Sequence, residues 1–258
     1  MKLVLHNDNV SGKLNPCSSA NSSETSAFAR YSGTTYTTTF NSDSADNAYI
    51  GFMYGNVGSS DYASTHANTN KSTILTNLET WYKNNLTSYE DKLADTIWCN
   101  DKTNVTDTTY NPWNYSNITG LGYAKIVTYY GVTQRLVSIS GNAGGTGPSL
   151  KCSGELSKIT TKIGLLSADE LAFSGSVLYY TYNRSTYLVE NTIGTWWWTL
   201  SPAHFYNGNA SVICSTSGYL SGRVVSTNSI GLRPAISLMS DVEISGGSGT
   251  SEDPYVVK

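Results

Sequence analysis

Between Ile74 and Leu86 the apolar residues Ile74, Leu75, Leu78, Trp81, Tyr82 and Leu86 recur three or four positions apart. That spacing predicts a helix with one buried face, capped at its start by Asn70 or Ser72. A second, shorter helix is announced by Ser167-Ala168-Asp169-Glu170. There the Ser167 hydroxyl can accept from the Glu170 amide while the Glu170 carboxylate accepts from the Ser167 amide, with Leu166 and Leu171 as a hydrophobic staple. Gly175 stands where a left-handed residue ends a helix. Ahead of it, Ile163-Gly164-Leu165-Leu166 reads as a buried strand, as does Ala48 to Met53, with Tyr54 to Ser60 as the loop that leaves the latter.

Alternation of period two takes over elsewhere. Tyr36-Thr37-Thr38-Thr39-Phe40 is the clearest strand signal near the start, and beyond Gly175 the pattern predicts short strands and no helix. Turns are marked by Asn207-Gly208, Ser217-Gly218 and Gly246-Gly247-Ser248-Gly249. Two helices ahead of a run of antiparallel strands give an α+β domain rather than alternating β-α-β units. Residues 1–47 read as an N-terminal extension of uncertain structure, and 48–258 as the domain proper.

Within that domain the densest aromatic cluster is Thr195-Trp196-Trp197-Trp198-Thr199-Leu200-Ser201-Pro202. At strand spacing Trp196 and Trp198 point to one face and Trp197 to the other, so at least one face anchors a core. A matching rigid end follows at Gly231-Leu232-Arg233-Pro234-Ala235-Ile236-Ser237-Leu238, where Arg233 reads as a structural hydrogen-bond donor, the alternative being a ligand-site cation. Between these ends lie a polar and aromatic loop from Ala203 to Asn209, a strand from Ser211 to Ser215, a return strand from Tyr219 to Val225 and a further exposed loop, Ser226 to Ser229.

Composition narrows the function. Only 14% of the 258 residues are charged, against roughly 25% in average chains; Ser, Thr, Asn, Gly and 19 tyrosines take their place, as in extracellular binding domains. The formal net charge of −3 gives no basic footprint, so nucleic acid is set aside as a partner. No segment has the length of a membrane span, and no membrane contact by this segment is expected. The expectation is an exported chain whose leader or anchoring helix is not part of this sequence. Cys17, Cys99, Cys152 and Cys214 lack metal or redox spacing. Cys99 with Cys152 is the preferred disulfide, the alternative being buried free thiols.

The pairing of Trp-Trp-Thr-Leu-Ser-Pro (197–202) with Gly-Leu-Arg-Pro-Ala-Ile-Ser-Leu (231–238), preceded by Gly164-Leu165-Leu166-Ser167-Ala168-Asp169-Glu170-Leu171, resembles the C-type-lectin-like variable proteins of diversity-generating retroelements. The likeness is to Firmicutes-type examples with prepilin-like or surface-anchoring leaders, whose fold is the formylglycine-generating-enzyme-like subtype. Trp98-Cys99-Asn100-Asp101 and the closing Gly-Thr-Ser-Glu-Asp-Pro-Tyr-Val-Val (249–257) are similar too. The resemblance runs from about Ala48 to the C-terminus. It implies a C-type-lectin-like fold and a variable ligand-binding region at about 196–238.

In that family a reverse transcriptase randomises adenines, commonly in AAY codons, so varied positions hold only residues encoded by NNY. Residues 203–230 contain no Lys, Glu, Gln, Met or Trp. The resemblance therefore implies a ligand surface of Ala203, His204, Tyr206, Asn207, Asn209, Ser211, Ile213, Ser215, Ser221, Arg223, Ser226 and Asn228. Alternation fits this, since 209, 211, 213 and 215 share one strand face that can vary while Ala210, Val212 and a buried Cys214 face the core.

A calcium-dependent lectin site needs clustered oxygen ligands including carboxylates; the Glu-Pro-Asn motif is missing and Cys99 interrupts Trp-Asn-Asp, so no metal and no cofactor are expected. A formylglycine-generating-type oxidase needs two neighbouring cysteines, and the four here are far apart in sequence. His6, His66 and His204 are scattered, and no Ser, Cys or paired carboxylate lies in a recognisable nucleophile setting. The expected protein is a non-enzymatic, adhesin-like binder at a bacterial or phage surface, with an unknown protein or glycan as ligand and a pilus or surface-anchoring assembly as context. The alternative is a structural pilin-like or fibre subunit with a fixed surface.

Overall fold

A computed structural model describes residues 1–4, 29–31, 34–35, 37–110, 112, 120–141, 144–179, 188, 196–248, 253 and 255–258. Cys17 and Tyr36 lie outside these. The fold is mixed α+β. Its centre is a seven-stranded sheet built from Thr37–Thr38 (β1), Thr128–Tyr129 (β2), Val177–Leu178 (β3), Trp197–Tyr206 (β4), Asn209–Thr216 (β5), Tyr219–Val224 (β6) and Ile230–Gly231 (β7). The spatial order is β3-β6-β5-β4-β7-β1, with β2 also paired to β4. The described residues hold four α-helices: Tyr62–His66 (α1), Thr73–Asn85 (α2), Gly131–Leu136 (α3) and Ala168–Phe173 (α4).

Local chemistry fixes these elements. Ser72 caps α2, its hydroxyl accepting from the Leu75 amide at 3.2 Å and donating to the Phe52 carbonyl at 2.8 Å. The expected capping box is present on α4, which ends at Gly175 with φ +104°. At Asn207-Gly208 (φ +50° and +74°) and Ser217-Gly218 (φ +49° and +77°) both central residues are left-handed, the two-residue turn that matches strand twist. Pro202 lacks an amide proton, and the β4–β5 register shifts on both sides of it.

Two apolar cores sandwich β4–β6. One holds Phe40, Leu75, Trp98, Trp198, Val212 and Cys214; the other holds Val132, Leu136, Leu171, Trp197, Ala203 and Ile213. Trp198 meets Phe40 edge-on at 5.6 Å and donates its indole N–H to the Thr38 carbonyl at 2.8 Å. A Cβ on Gly164 would overlap the Trp98 ring, so glycine is required where that indole crosses the strand.

Four expectations change. α1 and α3 add to the two helices expected, and β3–β6 and β4–β7 pair in parallel within a sheet expected to be antiparallel. The segment from Ala48 to Met53 is a 3-10 turn over Asn47–Ile50 followed by a strand at Met53–Tyr54, because the Asp46 side chain caps the Ala48 amide and turns the chain. Ala203 to Tyr206 continues β4 instead of forming a loop. The described parts of residues 1–47 join the domain: Lys2–Val4 pairs with Ala235–Ser237, β1 pairs with β7, and Phe40 is core.

Candidate functional site

The strands β4, β5 and β6 carry the residues expected to form a ligand face. Their burial divides that set. Tyr206, Asn209 and Arg223 are partly exposed, and Asn207, Ser226 and Asn228 are exposed. Ala203, Ser211, Ile213, Ser215 and Ser221 are buried, and His204 is partly buried, edge-on to Tyr129 at 6.1 Å. The expected exposed face at 209, 211, 213 and 215 is thus a correction at three of its four positions. α3, not foreseen from the sequence, supplies Val132 and Leu136 to a second core that covers that face. Its trace in the sequence is the four-residue spacing of Val132 and Leu136.

What stays accessible gathers in two places. At the tip of the β4–β5 hairpin Tyr206 pairs with Asn209 across the Asn207-Gly208 turn. Asn209 accepts from the Ser44 hydroxyl at 2.8 Å, and the neighbouring Ala210 carbonyl accepts from the Val225 amide at 3.1 Å. This brings the start of the Ser226–Ser229 loop beside the hairpin tip.

The second place is an aromatic and cationic patch. The Arg223 guanidinium lies over the Trp196 ring at 4.1 Å, and Trp196 meets Tyr219 edge-on at 5.8 Å. All three are partly exposed. Strand parity explains the grouping, because Tyr219, Ser221 and Arg223 share one face of β6 and pair with Thr216, Cys214 and Val212 of β5. Stacking on the indole holds the long guanidinium side chain in place, and among the described residues no carboxylate forms an ion pair with it. Trp196 and Tyr219 are not among the expected ligand residues: Trp196 precedes 203 and reads as a packing residue, and Tyr219 reads as the start of the return strand.

Other residues singled out make internal contacts. Arg233 is buried, lies over the Trp197 ring at 5.0 Å and donates to the Leu188 carbonyl. Asn100 accepts from the Phe52 amide and donates to the Leu200 carbonyl, each at 2.8 Å. Asp101 pairs with Arg135 at 2.7 Å. Cys214 is buried and unpaired, and burial pushes its thiol well above the ordinary range. Cys99 and Cys152 form the disulfide preferred from the sequence, with Cα atoms 5.5 Å apart. Separation along the chain therefore does not count against neighbouring cysteines here, because the fold closes the intervening segment into a loop.

A family model described as "Domain of unknown function (DUF6273)" matches residues 124–240. That stretch holds α3, α4 and every strand of the large sheet except β1. Comparison with curated proteins and with solved structures gives no match.

Proposed function

We propose that this chain is a non-catalytic binding protein with a C-type-lectin-like fold, akin to the variable proteins of diversity-generating retroelements, presenting a protein- or glycan-binding face at a cell surface. The observation that carries the reading is the Trp196-Tyr219-Arg223 patch, with the Tyr206–Asn209 tip toward the other end of the same strands, both set on a sheet packed between apolar cores. Side chains fixed in this way lose little conformational freedom on binding, and aromatic residues with adaptable polar neighbours are the usual make-up of engineered and natural paratopes. The Cys99–Cys152 disulfide suits an oxidising compartment, in keeping with surface exposure.

Sequencing the coding region in several isolates tests this. Replacements at adenine-derived codon positions are expected at Tyr206, Asn207, Asn209, Arg223, Ser226 and Asn228, sparing the buried Ala203, Ile213 and Ser215. An invariant segment retires the diversified-binder reading in favour of a fixed pilin-like or fibre subunit. The paired cysteines favour a second reading, a formylglycine-generating-type oxidase, since two adjacent thiolates suit Cu(I) once the bridge is reduced. Reduced protein that fails to compete with a Cu(I) chelator disposes of it.

A further inference from the structure

Away from the proposed binding face, the Cys99–Cys152 disulfide forms part of the wall of a cavity of about 330 Å³. Two large apolar side chains at it are exposed, Ile97 at 55% and Leu150 at 71%, while Leu165 and Leu200 lie deeper. Exposed aliphatic side chains flanking a cavity are the usual mark of a surface that meets a ligand.

The polar lining is graded by depth. Asp101 and Asp169 retain only 5% and 4% of their side-chain exposure, and the single guanidinium between them, Arg135, retains 16%. Arg135 binds Asp169 in bidentate fashion, Nε to Oδ1 at 2.7 Å and Nη2 to Oδ2 at 2.8 Å, and reaches Asp101 Oδ2 with Nη1 at 2.7 Å. The Thr103 amide donates to Asp101 and the Ser149 amide to Asp169. These bonds orient the carboxylates, yet two negative charges share one positive charge in a water-poor setting, where Coulomb interactions are least screened. Nearer solvent, Lys2 pairs with Glu170, and Lys151 is exposed. The Lys151 charge is solvated and screened there, so the buried excess of one negative charge governs what the cavity accepts.

We infer that this cavity is a binding site for a cation carried on an aliphatic stem, either a small alkylamine or the lysine or arginine side chain of a polypeptide. The stem packs on Ile97, Leu150, Leu165 and Leu200, and the charged head reaches Asp101 and Asp169. This inference is independent of the face formed by Trp196, Tyr219 and Arg223.

The test is a methyl-resolved NMR titration of the oxidised full chain with n-butylammonium chloride, sodium n-butyrate, n-butanol and the peptide acetyl-Ala-Lys-Ala-amide at constant ionic strength. Saturable shifts of the Ile97 and Leu150 methyl groups are expected with n-butylammonium, with at least tenfold weaker binding of n-butanol and no saturation with n-butyrate. A tighter response to the peptide assigns the cation to a partner polypeptide; a response to the amine alone assigns it to a small metabolite-sized amine. Asp101→Asn should weaken n-butylammonium at least fivefold. Leu150→Arg changes only an exposed side chain and should block the cavity without unfolding the chain, so it decides the matter if Asp101→Asn does not fold. Flat titrations with both cationic probes, equal response to n-butyrate, or unchanged affinity in Leu150→Arg overturns the inference.

Discussion

The large sheet and the loop-rich region that precedes it are held together by different physics. In β4–β6 most inward side chains are apolar, with Thr199, Ser201, Ser211, Ser215 and Ser221 buried among them, and cores lie on both sides. Around Asn47, His66, Asn100 and Lys102, buried polar side chains bond to the backbone of distant loops instead. The Asn47 amide donates to the carbonyls of Ala124 and Ile126 at 2.9 and 2.8 Å, and its oxygen accepts from the Tyr130 hydroxyl at 2.6 Å. The buried Lys102 ammonium donates to the carbonyls of Met53 and His66 and to Asn68 Oδ1, at 3.0, 2.7 and 2.7 Å. The sheet is stabilised by removing apolar area from water, and the loops by giving each buried backbone group a partner.

The comparison breaks most visibly at Trp198. Trp198→Ala removes a fully buried indole that touches Phe40 and closes the Thr38 carbonyl, and should cost about 3–5 kcal/mol, measured as the shift in chemical-denaturation midpoint. A loss below 1 kcal/mol means that the sheet does not depend on that core. Asn100→Ala is the matching cut in the polar half. It removes few apolar contacts but leaves the Phe52 amide and the Leu200 carbonyl without partners, and should cost about 2–3 kcal/mol. If it proves neutral, water has replaced the side chain and the latch is dispensable.

This difference also explains what could be read from the sequence. Helix α2, the α4 capping box, both two-residue turns and the opposite facing of Trp197 and Trp198 are local or periodic, and such signals survive in a single chain. The Asp101–Arg135–Asp169 cluster was not legible, because its members lie 34 residues apart in each pairing and only the fold brings them together. For the ligand face, alternation separates the Ala210–Val212–Cys214 side of β5 from the other, but period two cannot say whether the second side meets water or another core. The resemblance, with parity in agreement, places Ser211, Ile213 and Ser215 outside; the short helix α3 decides the matter.

A smaller effect belongs to pH. Burial, and next the Lys102 charge, pull the His66 imidazole down to about 3 from 6.5, and burial takes His204 to about 4. A lowered folded-state value means that the unfolded chain binds the proton first, so stability is fully present above about pH 6.5 and is lost as pH falls toward 4 and then 3. Denaturation midpoints at pH 7, 5 and 4 should fall in that order. His66→Gln retains a donor for the Gly122 carbonyl, now 2.7 Å from Nε2, and should flatten part of the slope. An unchanged slope places the acid sensitivity elsewhere.

The smallest changes in stability are expected at the proposed binding face, which is what makes it distinguishable from both halves of the scaffold. Tyr206→Ala, at the partly exposed hairpin tip, should alter stability by no more than about 0.5 kcal/mol. Arg223→Ala also gives up the stack on Trp196, worth about 0.5–1 kcal/mol at an exposed site. Against a ligand selected with the wild-type chain from protein and glycan arrays, both variants should lose binding by tenfold or more. Arg223→Lys separates the two roles of that residue: it keeps the charge but not the planar group that lies flat on the indole. Binding kept by lysine makes the charge decisive, and binding lost by lysine makes the stacked geometry decisive. If alanine at 223 costs several kcal/mol and leaves ligand affinity intact, the Arg223–Trp196 pair is a clip between β6 and β4 and belongs with the scaffold rather than the site.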